Sequence, residues 1–153
     1  MAHGTSLIGR SCDVIIRAGG SMVLEGRLIL SGHNQLYAAG NLKIGDRVSI
    51  NEYSRVVAFE SISIGNNVTI AKFVTIVDHD HTFLMSGEGL IMDGYSTDPI
   101  VIGDNVLIGD KVTILKGVSI GMNVVIASNA VVAGDVPDNS LIGGVPARVL
   151  RKL

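Results

Sequence analysis

Six aliphatic residues stand six positions apart in an unbroken series in the C-terminal half of the chain. They are Ile102, Ile108, Ile114, Ile120, Ile126 and Val132. A period of six matches neither the helix period nor the strand period, so it indicates a repeat architecture. The residue beside each aliphatic is mostly Gly or Ala, as at Gly103, and should let the chain turn tightly. Such repeats build an all-β solenoid, in which each coil buries its aliphatic side chains against the next coil.

The same period extends upstream, and its spacing gives the length of a coil. Leu24 and Ile44 are 20 residues apart, as are Ile44 and Ile64, which fits three hexads with two extra residues at a corner. Ile64 and Ile102 are 38 residues apart, which leaves one coil and about 20 extra residues. Because the pattern fails over 82–99, we predict that this segment is extruded as a loop.

Composition limits the function classes. A chain of 153 residues fits a single domain over 1–153. The net charge of −2 and the lack of a basic cluster argue against nucleic acid as the main partner. No run of about 18 apolar residues occurs, so no membrane span is expected. The N-terminus does not have the pattern of a secretory signal, and the cytoplasm is therefore the expected location.

The repeat breaks at four polar residues, Asp78-His79-Asp80-His81. Continuing the register would place the Asp80 carboxylate inside the coil at high cost, so the chain should leave the coil here. In an extended segment His79 and His81 point to one side, and a neutral imidazole can deprotonate a hydroxyl or an amine. Two alternatives remain open. The segment could be a solvated loop, or the two histidines could bind a metal with His33 as the third ligand.

The repeat units carry a family resemblance. Ile-Gly-Asp-Asn-Val-Leu, Ile-Gly-Asp-Lys-Val-Thr and Ile-Gly-Met-Asn-Val-Val resemble the hexapeptide-repeat acyltransferases, and 135–148 is similar to the closing segment of their galactoside, maltose and polysaccharide O-acetyltransferase branch. The resemblance implies a left-handed parallel β-helix of about six coils with one extruded loop (about 82–99) and a short C-terminal tail. It also implies a homotrimer with active sites between subunits.

The resemblance also implies roles for individual residues. It places the catalytic histidine of galactoside acetyltransferases on His81, which we favour over His79 as the general base. Either Asp78 or Asp80 could orient the ring. Asn51 corresponds to an acceptor-binding asparagine, although an asparagine can also serve only to turn a coil. Tyr95, in the extruded segment, suits stacking on a sugar.

Acetyl-CoA is the co-substrate that the resemblance implies. Its predicted contacts are Asp110, Ser128, Ala133, Arg148 and Arg151. The two arginines would bind CoA phosphates through charge-assisted hydrogen bonds. The family's frequent tryptophan is Leu107 here and a common lysine is Gly134, so one ring and one phosphate contact are missing.

The function expected from this sequence is O-acetylation of a sugar hydroxyl by direct attack on acetyl-CoA, with histidine as the base. Three alternatives stay open: N-acetylation of an amino sugar, a metal enzyme similar to the γ-class carbonic anhydrases, and a non-catalytic solenoid.

Overall fold

The computed structural model describes residues 5–153, and every regular element among them is a strand. The chain forms a left-handed parallel β-helix, so the predicted fold is confirmed. Each coil contributes one strand to each of three faces, and strands of successive coils pair in parallel. The first five coils are complete on all three faces, and Val136 closes the sixth through a single bridge to Ile120.

The three faces are parallel sheets, apart from the last strand of the first face, which is antiparallel. The first face contains β1 (Leu7–Ile8), β4 (Leu28–Leu30), β7 (Val48–Ile50), β10 (Thr69–Ile70), β15 (Val106–Ile108), β18 (Val124–Ile126), β20 (Ser140–Gly144) and β21 (Ala147–Lys152). The second contains β2 (Asp13–Ile16), β5 (Gln35–Ala38), β8 (Arg55–Ala58), β11 (Thr75–Val77), β16 (Thr113–Ile114) and β19 (Val131–Val132). The third contains β3 (Ser21–Leu24), β6 (Asn41–Ile44), β9 (Ser61–Ile64), β14 (Ile100–Ile102) and β17 (Ser119–Ile120). An antiparallel pair, β12 (His79–Ser86) and β13 (Gly89–Thr97), stands outside the faces.

The core is built from columns of aliphatic side chains, one from each face. Along the first face Ile50, Ile70, Ile108 and Ile126 stack in register, and all four are buried. Burying one such side chain contributes roughly 1.5–3 kcal/mol. The stability of the solenoid therefore comes from many similar small contributions, each made against the neighbouring coil.

The corner turns differ from the prediction that the Gly or Ala beside each aliphatic residue makes them. Asn67, Asn105 and Asn123 make the turn after the third face with φ near +55°, whereas Gly103 does not have a positive φ. Asparagine tolerates this conformation, and the amides form a ladder in which Asn67 Nδ2 donates to Asn105 Oδ1 at 3.1 Å. The glycines serve stacking instead, because a Cβ on Gly103 would lie 2.8 Å from the backbone of Gly121 in the next coil.

The extruded segment is a β-hairpin rather than an irregular loop, and it begins earlier than predicted. Strand β12 starts at His79, three residues before the expected boundary at Thr82. The hairpin closes where the N–H of Asp98 donates to the carbonyl of Asp78 at 3.0 Å. The chain thus leaves and re-enters the fourth coil at adjacent points.

The two ends of the solenoid differ. In the first coil Leu7, Ile8 and Val14 are exposed because no further coil covers them among the described residues. At the other end the predicted C-terminal tail folds back as β21 and pairs antiparallel with β20. This strand extends the first face beyond the sixth coil.

Candidate active site

Both histidines of the interrupted repeat face a groove on the second face. The residues that line this histidine groove are Gln35, Tyr37, Arg55, Val57, Phe59, His79, His81 and Tyr95. Leu36, Val56 and Ile76 point into the core from successive strands, so their neighbours in sequence point outward into the groove. Tyr95 comes from the hairpin and covers the groove from the side, because its Cα pairs with that of His81.

Asp78 anchors the site from inside the solenoid. Its carboxylate is fully buried and accepts hydrogen bonds at 2.8 Å from the backbone N–H groups of Phe59, Glu60 and Ser61. A buried carboxylate is tolerated when backbone donors satisfy it in this way. Asp78 therefore ties the start of the hairpin to the corner of the preceding coil, next to the histidine that follows it.

His79 is the more enclosed of the two histidines. Its side chain is 12% exposed, and its ring lies edge-on to Phe59 with centroids 3.9 Å apart. Its Nδ1 is 3.5 Å from Asp78 Oδ1 and makes no hydrogen bond to any group of residues 5–153. Desolvation lowers the pKa of His79 below its ordinary value, and the nearby Asp78 carboxylate partly opposes this shift.

His81 stands at the open side of the groove. It is exposed, and its ring packs beside Tyr95 with centroids 4.6 Å apart. Asp80 does not orient it, since that carboxylate is 3.5 Å from Lys116 Nζ. Lys116 also donates to Ser96 Oγ and so holds both hairpin strands to the fifth coil. Of the two candidate orienting carboxylates, only Asp78 lies next to a histidine, and that histidine is His79.

Asn51 and His33 do not line the groove. Asn51 follows β7 at the corner between the first and second faces, where its Nδ2 donates to the carbonyl of Ile70 at 3.2 Å. This bond is the coil-turning role considered above. His33 stacks on Tyr53 at the same corner, with centroids 4.9 Å apart. The metal alternative used His33 as third ligand, and within residues 5–153 no three His, Cys, Asp or Glu side chains lie close enough to hold a metal ion.

The residues predicted to bind the donor fall into two groups. Asp110 and Ser128 meet at one edge of the second face, where the N–H of Asp110 donates to Ser128 Oγ at 3.1 Å. Ala133 and Arg148 line a second groove, the C-terminal groove, at the opposite edge of the same face. Arg151 is not among the residues that line it, and its guanidinium donates to the carbonyl of Lys152.

The C-terminal groove and the histidine groove share one corner of the solenoid. Ile76, Ile114 and Val132 are in register on successive strands, so the residues after Val132 lie two coils from those after Ile76. Two strand spacings correspond to about 9.5 Å. The corner between the second and third faces thus carries both the histidines and the groove lined by Ala133 and Arg148.

Sequence reasoning missed Gln35, Tyr37, Arg55 and Phe59 as groove residues. The 20-residue coil length contained the necessary signal, because Phe59 lies one coil before His79. Gln35 and Arg55 are likewise one coil apart and pair in register. Projecting the histidines back by one coil would have placed Phe59 beside them.

No helix among residues 5–153 is long and apolar enough to span a membrane.

Comparison with known proteins shows the family. Residues 99–134 match the family model described as bacterial transferase hexapeptide (six repeats). A hexapeptide-repeat-containing acetyltransferase from Vibrio cholerae O1 biovar eltor, solved with acetyl coenzyme A, is 30% identical over 86% of this chain and 70% of its own, with a TM-score of 0.71. A maltose O-acetyltransferase from Clostridium difficile 630 is 26% identical over 96% of this chain and 69% of its own, with a TM-score of 0.66.

An N-acyltransferase from Bacillus cereus shares the fold with a TM-score of 0.82 over 96% of this chain and 80% of its own, at 19% identity. No curated protein matches the chain. The repeats, the solenoid and the Vibrio relative agree, and the chain belongs to the hexapeptide-repeat acetyltransferases.

Proposed function

We propose that this protein transfers an acetyl group from acetyl-CoA to a sugar hydroxyl, with His81 as the general base. The observation that carries this proposal is the groove in which His79 and His81 face the same side, at the long interruption of the repeat after Val77. A solenoid that serves only as a scaffold does not require two histidines and three aromatic rings in one groove.

The chemistry is a single displacement. Neutral His81 accepts the proton of the acceptor hydroxyl while its oxygen attacks the thioester carbonyl. The tetrahedral intermediate then collapses with cleavage of the C–S bond, and the departing thiolate of CoA takes the proton back from His81. The products are the acetyl ester and free CoA, without a covalent enzyme intermediate.

His81 is favoured over His79 by access. The exposed His81 can reach an acceptor in the open groove, whereas Phe59 and Asp78 enclose His79. In this proposal His79 supports the site, because its ring packs against Phe59 and Tyr95, which also contact each other, and so keeps the groove in shape. The alternative, in which His79 is the base, is supported by the Asp78 carboxylate beside it, which resembles the orienting acid of other histidine bases.

We propose that acetyl-CoA binds along the second face. The Vibrio relative was solved with acetyl coenzyme A, and the C-terminal groove with Ala133 and Arg148 lies on the corner that carries the histidines. Backbone N–H groups near Asp110 and Ser128 could bind the pantetheine amides. Ser128 lies five residues before Ala133, at the opposite edge of the second face. We propose that a homotrimer brings the two edges together from neighbouring subunits.

The acceptor in this proposal is a saccharide with a free hydroxyl on its ring. Tyr95 offers a half-exposed ring beside His81 for stacking on a sugar face. The clostridial relative is an O-acetyltransferase for maltose, which supports hydroxyl as the nucleophile. N-acetylation of an amino sugar is the second candidate because the Bacillus protein of the same fold is an N-acyltransferase. A polysaccharide precursor as substrate, Asn51 as an acceptor contact and a cytoplasmic location remain predictions.

A transfer assay tests the proposal. Purified protein is incubated with acetyl-CoA and a panel of neutral, amino and acidic sugars, while free thiol release and product mass are followed. The expected result is an acetylated sugar that mild alkali deacetylates, as an ester requires. An alkali-stable product would establish the N-acetyl alternative, and no thiol release with any sugar would overturn the proposal.

A further inference from the structure

The histidine groove has a positively charged side that the proposed transfer reaction does not use. Arg55 begins β8 and is the one lysine or arginine among the residues that line the groove, which include no carboxylate. Its Cα pairs with those of Gln35 and Thr75, so the guanidinium emerges from the outward side of the second face. The charge therefore faces the space that an acceptor enters.

Neither Asp78 nor Asp80 neutralises Arg55, and Asp13, in the same column of the second face, is two coils away with Gln35 between them. Asp78 is turned into the solenoid by its three backbone hydrogen bonds, and Asp80 lies beside Lys116. No ion pair involving Arg55 is present among residues 5–153, whereas Lys43, Arg47 and Lys72 on other parts of the surface each pair with an acid. An arginine that lacks an acid in a groove is available for an anionic ligand.

A second arginine reinforces this charge at the edge of the groove. The guanidinium carbon of Arg17 lies 6.0 Å from the centroid of the Tyr37 ring, and Tyr37 itself lines the groove. Gln35, on the same strand as Tyr37, adds a side-chain amide that can donate a hydrogen bond to an anion. The groove thus combines a proton acceptor, an aromatic surface for a sugar ring and a forked cation for a planar or tetrahedral anion.

We propose that the acceptor is an anionic saccharide, with Arg55 as the residue that binds its negative group while His81 deprotonates its hydroxyl. The anion is a carboxylate of a sugar acid or a phosphate attached to the sugar, because a guanidinium binds either one in a bidentate manner. This inference rests on the proposed function, since it assigns the substrate class of the same groove.

The experiment compares three acceptors with the same galactose ring: galactose, galacturonic acid, which has a carboxylate in place of the C6 hydroxymethyl group, and galactose 1-phosphate, which carries a phosphate on the anomeric oxygen. We expect the ratio of kcat/KM for the preferred anionic sugar to that for galactose to exceed one. Arg55→Gln should lower this ratio roughly 10- to 100-fold, the usual effect of losing a charge-assisted hydrogen bond. Arg55→Lys should retain part of the preference, and Arg27→Gln, on the first face, should leave the ratio unchanged.

The outcomes separate this inference from the function on which it rests. A preference for galacturonic acid identifies a carboxylate and a preference for the phosphate identifies a phosphoryl group, and either one supports the proposal. Equal use of all three sugars, or an anion preference that survives Arg55→Gln, overturns it while the acetyl transfer stands. Dissociation of the assembly by Arg55→Gln, detected by sedimentation, would instead make Arg55 an interface residue and also overturn it. The failure of all sugars to release thiol would refute the proposed function itself.

Discussion

The regular coils of this protein bury their apolar side chains, whereas the hairpin exposes them. In the coils each aliphatic residue is buried against its counterpart in the next coil, as Ile108 is. In the hairpin Phe83, Met85 and Leu90 are more than half exposed, because the hairpin leaves the stack. The coils therefore supply stability, and the hairpin supplies a surface. The candidate site lies where the two meet.

The exposed hairpin agrees with the proposed trimer. A strand pair with apolar residues along its length is a typical site of self-association. In the homotrimer proposed above, a neighbouring copy would cover these side chains and complete the donor site. Among residues 5–153, Lys116 and the hydrogen bond between Asp98 and Asp78 fix the root of the hairpin to the coils.

The largest effect on stability is expected from charge in the core. Ile108→Asp should unfold the protein, because an unpaired buried carboxylate costs several kcal/mol. Leu84→Asp, in the hairpin, should leave the solenoid folded, because within one chain the same group lies in water, and its cost should fall on the contact between copies in the proposed homotrimer. Thermal unfolding followed by circular dichroism measures both. Equal melting temperatures for the two variants would contradict the division between coils and hairpin.

The next largest loss of stability is expected at the junction between the coils and the hairpin. Asp78→Asn removes the charge that accepts three backbone hydrogen bonds and turns amide hydrogens toward other donors. We expect a loss of about 1.5–3 kcal/mol in the free energy of unfolding, the scale of one hydrogen bond to a charged group. Asp93→Asn, on the exposed face of the hairpin, is the matched control. Denaturant titration of both variants decides whether Asp78 stabilises the junction.

Donor binding should depend on the C-terminal groove. Arg148→Ala should weaken CoA binding by roughly 10- to 100-fold, as expected for a lost charge-assisted bond to phosphate. Arg151→Ala should also weaken it, but less, because Arg151 does not line the groove. Calorimetry with CoA and its dephosphorylated analogue measures both effects. If neither variant differs from the parent protein, these arginines only solvate β21.

The smallest effect concerns pH. Because desolvation lowers the pKa of folded His79, the unfolded chain binds a proton that the folded chain does not at slightly acidic pH. The free energy of unfolding should therefore fall as the pH decreases below about 6.5, the unfolded value for histidine. His79→Gln should remove this part of the dependence, and the exposed His33→Gln should not. Parallel pH profiles for the parent protein and His79→Gln would refute it.

Much of the fold could be predicted from sequence because the solenoid repeats one local pattern. The series from Ile102 to Val132 predicts the columns of buried residues, and the failure of the pattern predicts the extrusion. The burial of Asp78 could not be predicted this way. Its carboxylate is stable inside only because backbone donors of Phe59, Glu60 and Ser61 lie beside it, and hydrophobic periodicity does not record such contacts.

The site shows the same limit. The two histidines were identified because they interrupt the repeat, whereas Arg55 and Phe59 belong to regular coils and carry no local signal. They become groove residues through the pairing of strands one coil apart. The turn-making role of the corner asparagines could not be predicted for a related reason. A residue that turns the chain with positive φ and a glycine required for close stacking, such as Gly103, recur with the same spacing in the sequence.

The most direct test of the account is the rate of acetyl transfer in three variants, His81→Ala, His79→Ala and His33→Ala. We expect His81→Ala to lower kcat by roughly 10²–10⁴-fold with nearly unchanged CoA affinity, the usual contribution of a positioned base. His79→Ala should have a smaller effect, and His33→Ala, whose ring lies outside the groove, should match the parent protein. A larger loss in His79→Ala would move the base to the enclosed ring beside Asp78, and full activity in both groove variants would contradict the assignment of the active site to the root of the hairpin.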